Sequence, residues 1–345
     1  MINVYSDIIQ FKGNHYQFGY RQGELLRNSP ILIHRNLQKG SRWRNFLVDI
    51  DEVRDAFQTF SPALWEEIEG LADALKMPIK DAIREFGGYY YEYGRSGCSI
   101  YTEADILVRN YDNAPRSYEG RYVIYNPTDG GYATVGPTMQ ITGRTDGINE
   151  KGFAMGYNFV NRVKSDDGFV CNMIGRLLLE NCASVEEAKH LIKELPHRHT
   201  FSYVLLDKNG YSVVAEVSPR NVRFREANMC TNHFEELTEE NRYRTDESME
   251  RLDKISSQQT SVQNPYEAYQ LLNNLEKGIF SKKYGAWAGT LHTAAYLPKD
   301  LKAWIALGAN RPPLIFDFQK WLDGQPFHAT KIKGVLDTDE QFVNV

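Results

Sequence analysis

Gly97-Cys98-Ser99-Ile100-Tyr101-Thr102-Glu103, running on through Ala104-Asp105 into Ile106-Leu107-Val108-Arg109-Asn110-Tyr111-Asp112-Asn113, divides this chain into two kinds of sequence. Residues 1–97 read mainly as helices, and from Cys98 onward strands dominate. Cys98 opens the first of them, read as 98–109, rich in the β-branched and aromatic residues that strands favour. A thiol attacks well only as thiolate, and a free one near pKa 8.5 is mostly protonated at neutral pH. If the Gly97–Cys98 peptide bond opens, Cys98 acquires an α-amine of pKa about 7.7–8.0, which can take the thiol proton itself. Gly97, lacking Cβ, lets that peptide adopt shapes other residues resist. If Cys98 stays internal, His233 and His292 are the available bases, although nothing papain-like or caspase-like surrounds it. On one regular strand 98, 110 and 112 share parity, so Asp112 is expected on the face of Cys98. Arg109 then needs a bulge or hairpin to reach it.

Upstream, apolar spacing predicts a helix over Tyr16–Leu37 with a break at Pro30. A second covers 51–75, interrupted at Ser61-Pro62, and a third runs from Pro78 to Gly87-Gly88. Tyr89, Tyr90, Tyr91 and Tyr93 follow as an aromatic cluster, read either as core or as lining near the scissile bond. Downstream strands are expected at 121–126, 131–135, 138–143, 152–159, 201–207, 211–217, 222–226, 228–232, 288–297 and 302–308. Helices are expected at 170–182, 184–195, 246–257 and 264–275, the second opened by the capping pattern Ser184-Val185-Glu186-Glu187. Blocks of strands and helices, without strict strand–helix–strand alternation, indicate an α+β fold and one compact domain.

With 345 residues and 42% apolar content the chain can bury a full core. Forty basic against 45 acidic residues, net charge -5, argue against a protein that coats nucleic acid or anionic membrane. No apolar run is long enough to span a bilayer, and MINVYSDIIQFKGNHY lacks the basic-then-apolar order of a signal peptide. Cys98, Cys171, Cys182 and Cys230 form no CxxC pair, which favours reduced thiols and a cytoplasmic location. No HExxH, Walker A or GxGxxG motif occurs, and His197-Arg198-His199 alone makes a poor zinc site. No cofactor is expected.

GCSIYTEADILVRNYDN resembles the nucleophile region of the choloylglycine hydrolase superfamily of N-terminal-nucleophile hydrolases. Within it the isopenicillin N acyltransferase-like branch is the closer match, with bile salt hydrolases and penicillin V acylases as the sister branch. FKGNHYQFGYRQG, GINEKGFAMGYNF, TNHF and GTLHTAAYLPKD follow the same family in the same order. The resemblance implies an αββα four-layer sandwich with two antiparallel sheets. It also implies self-cleavage between Gly97 and Cys98, giving a helical 1–97 α chain and a catalytic 98–345 β chain that stay together as a heterodimer; further homo-oligomerisation stays open. Cys98 would be the nucleophile, Asp112 would hold its amine and thiol in register, and Arg109 would favour thiolate. Asn232 would serve the oxyanion and Asn158 the oxyanion or the leaving amine. Arg251 would be the downstream arginine of the site, with Arg242 and Arg244 as rivals. The implied activity is amide hydrolysis or acyl transfer on a small N-acyl amide, with acyl-CoA as donor in the transferase reading.

Plainer readings stand beside these. A cysteine after glycine is commonly a small buried apolar side chain, and Cys171, Cys182 and Cys230 keep that reading. Asp112 alone reads as a turn residue, Arg109 as a surface ion pair, and Asn232 as a cap for a helix over 234–240. An internal-cysteine hydrolase with a histidine base, or a non-catalytic binding protein of the same fold, are the alternatives.

Overall fold

A strand precedes the helices. In the computed structural model β1 (Ile2–Gly13) comes first, followed by α1 (His15–Leu26), α2 (Pro30–Trp43), α3 (Ile50–Phe60), α4 (Pro62–Leu75) and α5 (Ile79–Phe86). The structure describes residues 1–43, 48–90, 97–103, 105–160, 164–242, 246–286 and 288–342, without the side chains of 37–43. Tyr91, Tyr93 and Arg244 therefore lie outside the described residues. The helix breaks fall where proline and serine placed them: Pro30 and Pro62 occupy first helical turns, where a missing N–H costs nothing.

The region read as one strand from Cys98 is a hairpin, β2 (Gly97–Glu103) and β3 (Ile106–Asn113). Then come β4 (Arg121–Pro127), β5 (Thr134–Met139), β6 (Gly143–Arg144), β7 (Asp146–Asn149) and β8 (Ala154–Phe159). The expected strand 138–143 is broken because Gln140 and Ile141 both take left-handed backbone, φ 58° and 69°. Next are α6 (Cys171–Asn181), α7 (Val185–Glu194), β9 (Phe201–Leu206), β10 (Ser212–Val217), β11 (Val222–Arg225) and β12 (Met229–Cys230). Ser184 caps α7 by accepting from Glu187 N, and Glu187 reaches back to Ala183 N. The chain continues with α8 (Asp246–Gln258), α9 (Pro265–Asn273), β13 (Gly289–Leu297), β14 (Lys302–Leu307), β15 (Leu314–Asp317), α10 (Phe318–Leu322) and β16 (Lys331–Leu336).

The strands form two sheets. One runs β11-β10-β9-β8-β7-β5-β4-β1-β16, with β6 attached to β5; the other runs β12-β2-β3-β13-β14-β15. The larger is not wholly antiparallel, since β1 pairs with β4 in parallel from Asp7↔Arg121 to Gly13↔Pro127. One buried cluster combines Ile100, Leu107 and Tyr111 of the smaller sheet with Ile124, Val135 and Ile148 of the larger. A second joins Met155, Tyr203 and Leu205 of the larger sheet to α3–α7, and a third joins Tyr101 and Val108 to Ile255 of α8 and Tyr269 of α9. Alternation along β2, β3, β8 and β9 thus sends successive side chains into different cores.

α1 and α4 pack with almost no side chain between them. A Cβ on Gly19 would lie 1.8 Å from the Glu67 carbonyl oxygen, and one on Gly70 would lie 2.1 Å from that of Tyr16. Gly70→Ala is expected to destabilise the fold by about 3 kcal/mol, because backbone rather than a flexible side chain must move; urea unfolding against wild type measures it.

Candidate active site

The β2–β3 hairpin corrects the parity expectation. Register pairs Gly97 with Asp112, Cys98 with Tyr111 and Ile100 with Arg109. Crossing the turn reverses parity, so Cys98, Ile100, Arg109 and Tyr111 share one face. Gly97, Ser99, Asn110 and Asp112 share the other. Arg109 therefore reaches Cys98 without a bulge, and Asp112 sits opposite the thiol beside Gly97. Cys98, Arg109 and Asp112 are all buried.

On the first face, Arg109 Nη2 donates to Cys98 Sγ at 3.4 Å and also to the Tyr157 carbonyl. Its Nη1 donates to Asp146 Oδ1 at 2.6 Å and to the Thr145 carbonyl at 2.9 Å. The guanidinium thus spans from β3 to β7 and β8, and Gly156 leaves it room: a Cβ there would lie 2.9 Å from Arg109 Cδ. Tyr296 donates to Asp146 Oδ2 at 2.6 Å and Thr145 Oγ1 to Oδ1 at 2.6 Å. Against burial, Arg109 first, then His292 and the bond from Thr145 hold the Asp146 carboxyl well below the usual carboxylate range. Burial pushes the Cys98 thiol up to about 11 in the intact chain, with Arg109 the main opposing influence.

On the second face, Cys98 N donates to Asn232 Oδ1 at 2.9 Å. Arg251 of α8 donates through Nη1 to the Cys98 carbonyl at 2.7 Å and to Ser99 Oγ at 2.8 Å, and through Nη2 to Asn232 Oδ1 at 2.7 Å. Asp112 Oδ1 accepts from Thr290 Oγ1 at 2.6 Å, and its Oδ2 lies 3.8 Å from Arg251 Nη1. Burial raises the Asp112 carboxyl to about 7, with Arg251 and Thr290 pulling the other way. Ser248, one turn before Arg251, accepts from Asn232 N at 2.8 Å, so α8 grips Asn232 by both backbone and side chain.

Asn232 Nδ2 donates one of its two hydrogens to the Phe159 carbonyl at 2.8 Å. Its oxygen accepts from the Cys98 nitrogen, and of the helix expected over 234–240 only a 3-10 turn at Thr238–Glu240 forms. Asn158 is buried nearby and donates to the Cys230 carbonyl at 2.9 Å. Of the arginine candidates Arg251 is in place, whereas Arg242 is exposed. His233 Nδ1 lies 2.8 Å from Ser248 Oγ, and His292 Nε2 lies 3.4 Å from Asp146 Oδ1 with its ring stacked on Tyr111. The sequence reading missed Asp146, which looks like a turn residue in Thr145-Asp146-Gly147, and Ser248. It also missed Thr290, although that residue lies in a motif already singled out.

A cavity of about 740 Å³ opens against Gly97, Asp112, Asn232 and Arg251. Phe159, Ile279 and Phe280 give it an apolar wall, while Lys254, Lys282, Lys283 and Glu247 stand at charged positions around it. Cys98 Sγ lies on the opposite face of the hairpin from this cavity. All four cysteines are free and buried. His197 Nε2 bonds the Ile192 carbonyl at 2.6 Å, and no metal-binding group of three His, Cys, Asp or Glu side chains forms among the described residues. None of the described helices is long and apolar enough to cross a membrane.

A family model described as acyl-coenzyme A:6-aminopenicillanic acid acyl-transferase matches residues 101–312. That range includes Arg109, Asp112, Asn158, Asn232 and Arg251 and begins just after Cys98. No curated protein matches the sequence. Among solved structures, a variant of the conjugated bile acid hydrolase from Clostridium perfringens has 15% identity and a TM-score of 0.44, covering 65% of this chain and 93% of its own. Penicillin V acylase from Agrobacterium tumefaciens has 16% identity and a TM-score of 0.42, covering 65% and 86%. The Caenorhabditis elegans ortholog of N-acylethanolamine-hydrolyzing acid amidase has 12% identity and a TM-score of 0.39, covering 59% and 93%.

Proposed function

Because the chain belongs to the acyl-coenzyme A:6-aminopenicillanic acid acyl-transferase family, we propose that it is a self-processing cysteine amidohydrolase or acyltransferase, with Cys98 as nucleophile. The observation that carries this reading is the hold on Cys98's own main chain. Asn232 accepts from its N–H and Arg251 donates to its carbonyl, with Asp112 alongside and a cavity at Gly97. A purely structural cysteine gives no reason for side chains to grip its backbone on both sides. The three apolar clusters, one shared by the sheets and one against each set of helices, support a four-layer αββα arrangement. Four free thiols are compatible with the reducing cytoplasm.

Scission begins when Cys98 thiolate adds to the Gly97 carbonyl. The departing Cys98 nitrogen takes a proton from Asp112, which burial keeps neutral below about 7. Water then hydrolyses the thioester to a Gly97 carboxylate and a free Cys98 thiol. The freed α-amine, left neutral by the single proton from Asp112, sits by the Asp112 carboxylate and Asn232 Oδ1, and release of the chain end lets Sγ turn toward the cavity. In turnover the amine takes the thiol proton, thiolate attacks the substrate amide, and the proton passes to the leaving amine. Water or a second amine, from an acceptor facing acyl-CoA or an N-acyl amide donor, then takes the acyl group. Asn232 is assigned first to the amine, because its Oδ1 accepts from the Cys98 nitrogen, and its Nδ2 keeps the oxyanion role that the resemblance implies. The acyl chain lies against Phe159, Ile279 and Phe280.

Two pH regimes follow for scission. Below about 7 the rate rises about tenfold per unit with the thiolate fraction. Between about 7 and 11 it levels, because loss of the Asp112 proton offsets the gain in thiolate. Asp112→Asn is expected to be slower and to climb without the break; time courses on denaturing gels measure both. The activity is tested with a decanoyl amide of a chromogenic aniline. Aniline release, decanoylation of Cys98 seen by mass, and diversion of the acyl group to an added amine are expected. Release without acylated Cys98 would overturn the assignment.

A further inference from the structure

A second cavity, of about 560 Å³, lies between the start of β4, the end of the β1–β16 pairing, and the α1–α2 connection. Arg121 forms part of its wall. It is 5% exposed, donates Nη2 to Gln22 Oε1 at 3.1 Å, and leaves Nε without a partner. No carboxylate among the described residues forms an ion pair with it. The acids that act on it from a distance are engaged elsewhere. Glu119 holds Arg35 at 3.0 Å, Glu67 holds Arg176 at 2.7 Å, and Asp7 lies 3.5 Å from Lys331. Burial accordingly pulls the Arg121 guanidinium below its ordinary value. A buried cation lacking a counter-charge is costly, and an incoming anion removes that cost.

Three further features favour an anion. Arg21 lines the cavity, and its pair with Glu24 at 3.1 Å is exposed and weak. Lys331 lines it beside Tyr5, and its pair with Asp7, the one carboxylate in the wall, is as exposed and weak as that of Arg21. Ser29 and Pro30 place the N-terminus of the 14-residue α2 against it, the end of a helix that favours negative charge. The remaining wall mixes Gln10 and Thr330 with an apolar patch: Ile31 is buried, and Leu25 is one of the few large apolar side chains left 39% exposed.

We propose that this cavity binds a carboxylate carried on a short apolar tail, the carboxylate forked by Arg121 and the tail laid along Leu25 and Ile31. The planar guanidinium suits two-oxygen recognition, and the apolar patch of Leu25 and Ile31 favours a tailed acid over a bare inorganic anion. The site is independent of the role given to Cys98.

Thermal unfolding with sodium octanoate, against sodium chloride of equal ionic strength and against inorganic phosphate, tests this. Octanoate at about a hundredfold over its dissociation constant is expected to raise the wild-type midpoint by several degrees. Arg121→Gln should lose that rise, and its midpoint without octanoate should not fall below wild type, since the charge removed had no partner. Equal octanoate shifts in both proteins, an equal shift with phosphate, or a less stable Arg121→Gln beside an unresponsive wild type would each overturn the proposal. Should Arg121→Gln fail to fold, Arg21→Ala decides by calorimetry. About tenfold weaker octanoate binding supports the site, and unchanged binding overturns it.

Discussion

Cys98→Ala is expected to stay a single chain of 39.7 kDa and to lose all measurable amide turnover. Wild type should separate under denaturing conditions into pieces of about 11 and 28 kDa, if the α-amine must be released to act as base. The loss of turnover should be at least about 10⁴-fold, because neither the thiolate nor its amine survives the change. Denatured intact mass, with N-terminal sequencing of the larger piece, reads the result directly. A wild type that stays whole yet active would return the base's role to His233 or His292. Their positions beside Ser248 and Asp146 would then be where the search resumes.

Arg109→Met should have the largest effect on stability. The guanidinium is fully buried and serves Asp146, the Thr145 and Tyr157 carbonyls and Cys98 Sγ together. Its removal strands the Asp146 carboxylate in the interior, at a cost of about 3–5 kcal/mol. The measurement belongs in a Cys98→Ala background, where scission cannot complicate unfolding. Arg109→Met with Asp146→Leu should recover much of the loss, since no buried charge is then left alone. If the double variant is no more stable than Arg109→Met alone, the deficit comes from lost packing across the sheets. The same substitution should also slow scission, because Arg109 is the main influence lowering the Cys98 thiol.

Helices were legible where local chemistry marks their ends: Pro30, Ser61-Pro62, Pro78 and Ser184 each fall at the boundary of a real helix. The residues of the candidate site could be gathered from sequence as well: Cys98, Arg109, Asp112, Asn232 and Arg251 come together around one hairpin end. Their arrangement was not. Strand parity is a safe guide only along an uninterrupted strand, and Ala104-Asp105 gives too slight a turn signal to show that the count reverses. Asp146 was hidden because a buried carboxylate and a turn aspartate look alike before glycine. β1 was hidden for a different reason: its partners, β4 and β16, begin at Arg121 and Lys331, and a strand fixed by distant partners leaves little local trace. β16 itself alternates cleanly in burial over KIKGVL, a period-two pattern that was available to the reading and passed over.

The position of β1 also determines what kind of event a cut after Gly97 would be. β1 is an interior strand, paired on one side along Ile2–Asp7 to β16 and on the other along Asp7–Gly13 to β4. Its withdrawal would expose two unpaired strand edges. The severed halves therefore remain joined without a covalent link, and chromatography of the native protein would not register the break. What changes is molecularity. The uncut polypeptide refolds in a first-order process, whereas the cut pair must first meet, so its recovery after denaturant should depend on protein concentration. Peptide hydrolysis at one bond would turn a self-contained folding unit into an assembly that its own sequence can no longer rebuild unaided at high dilution.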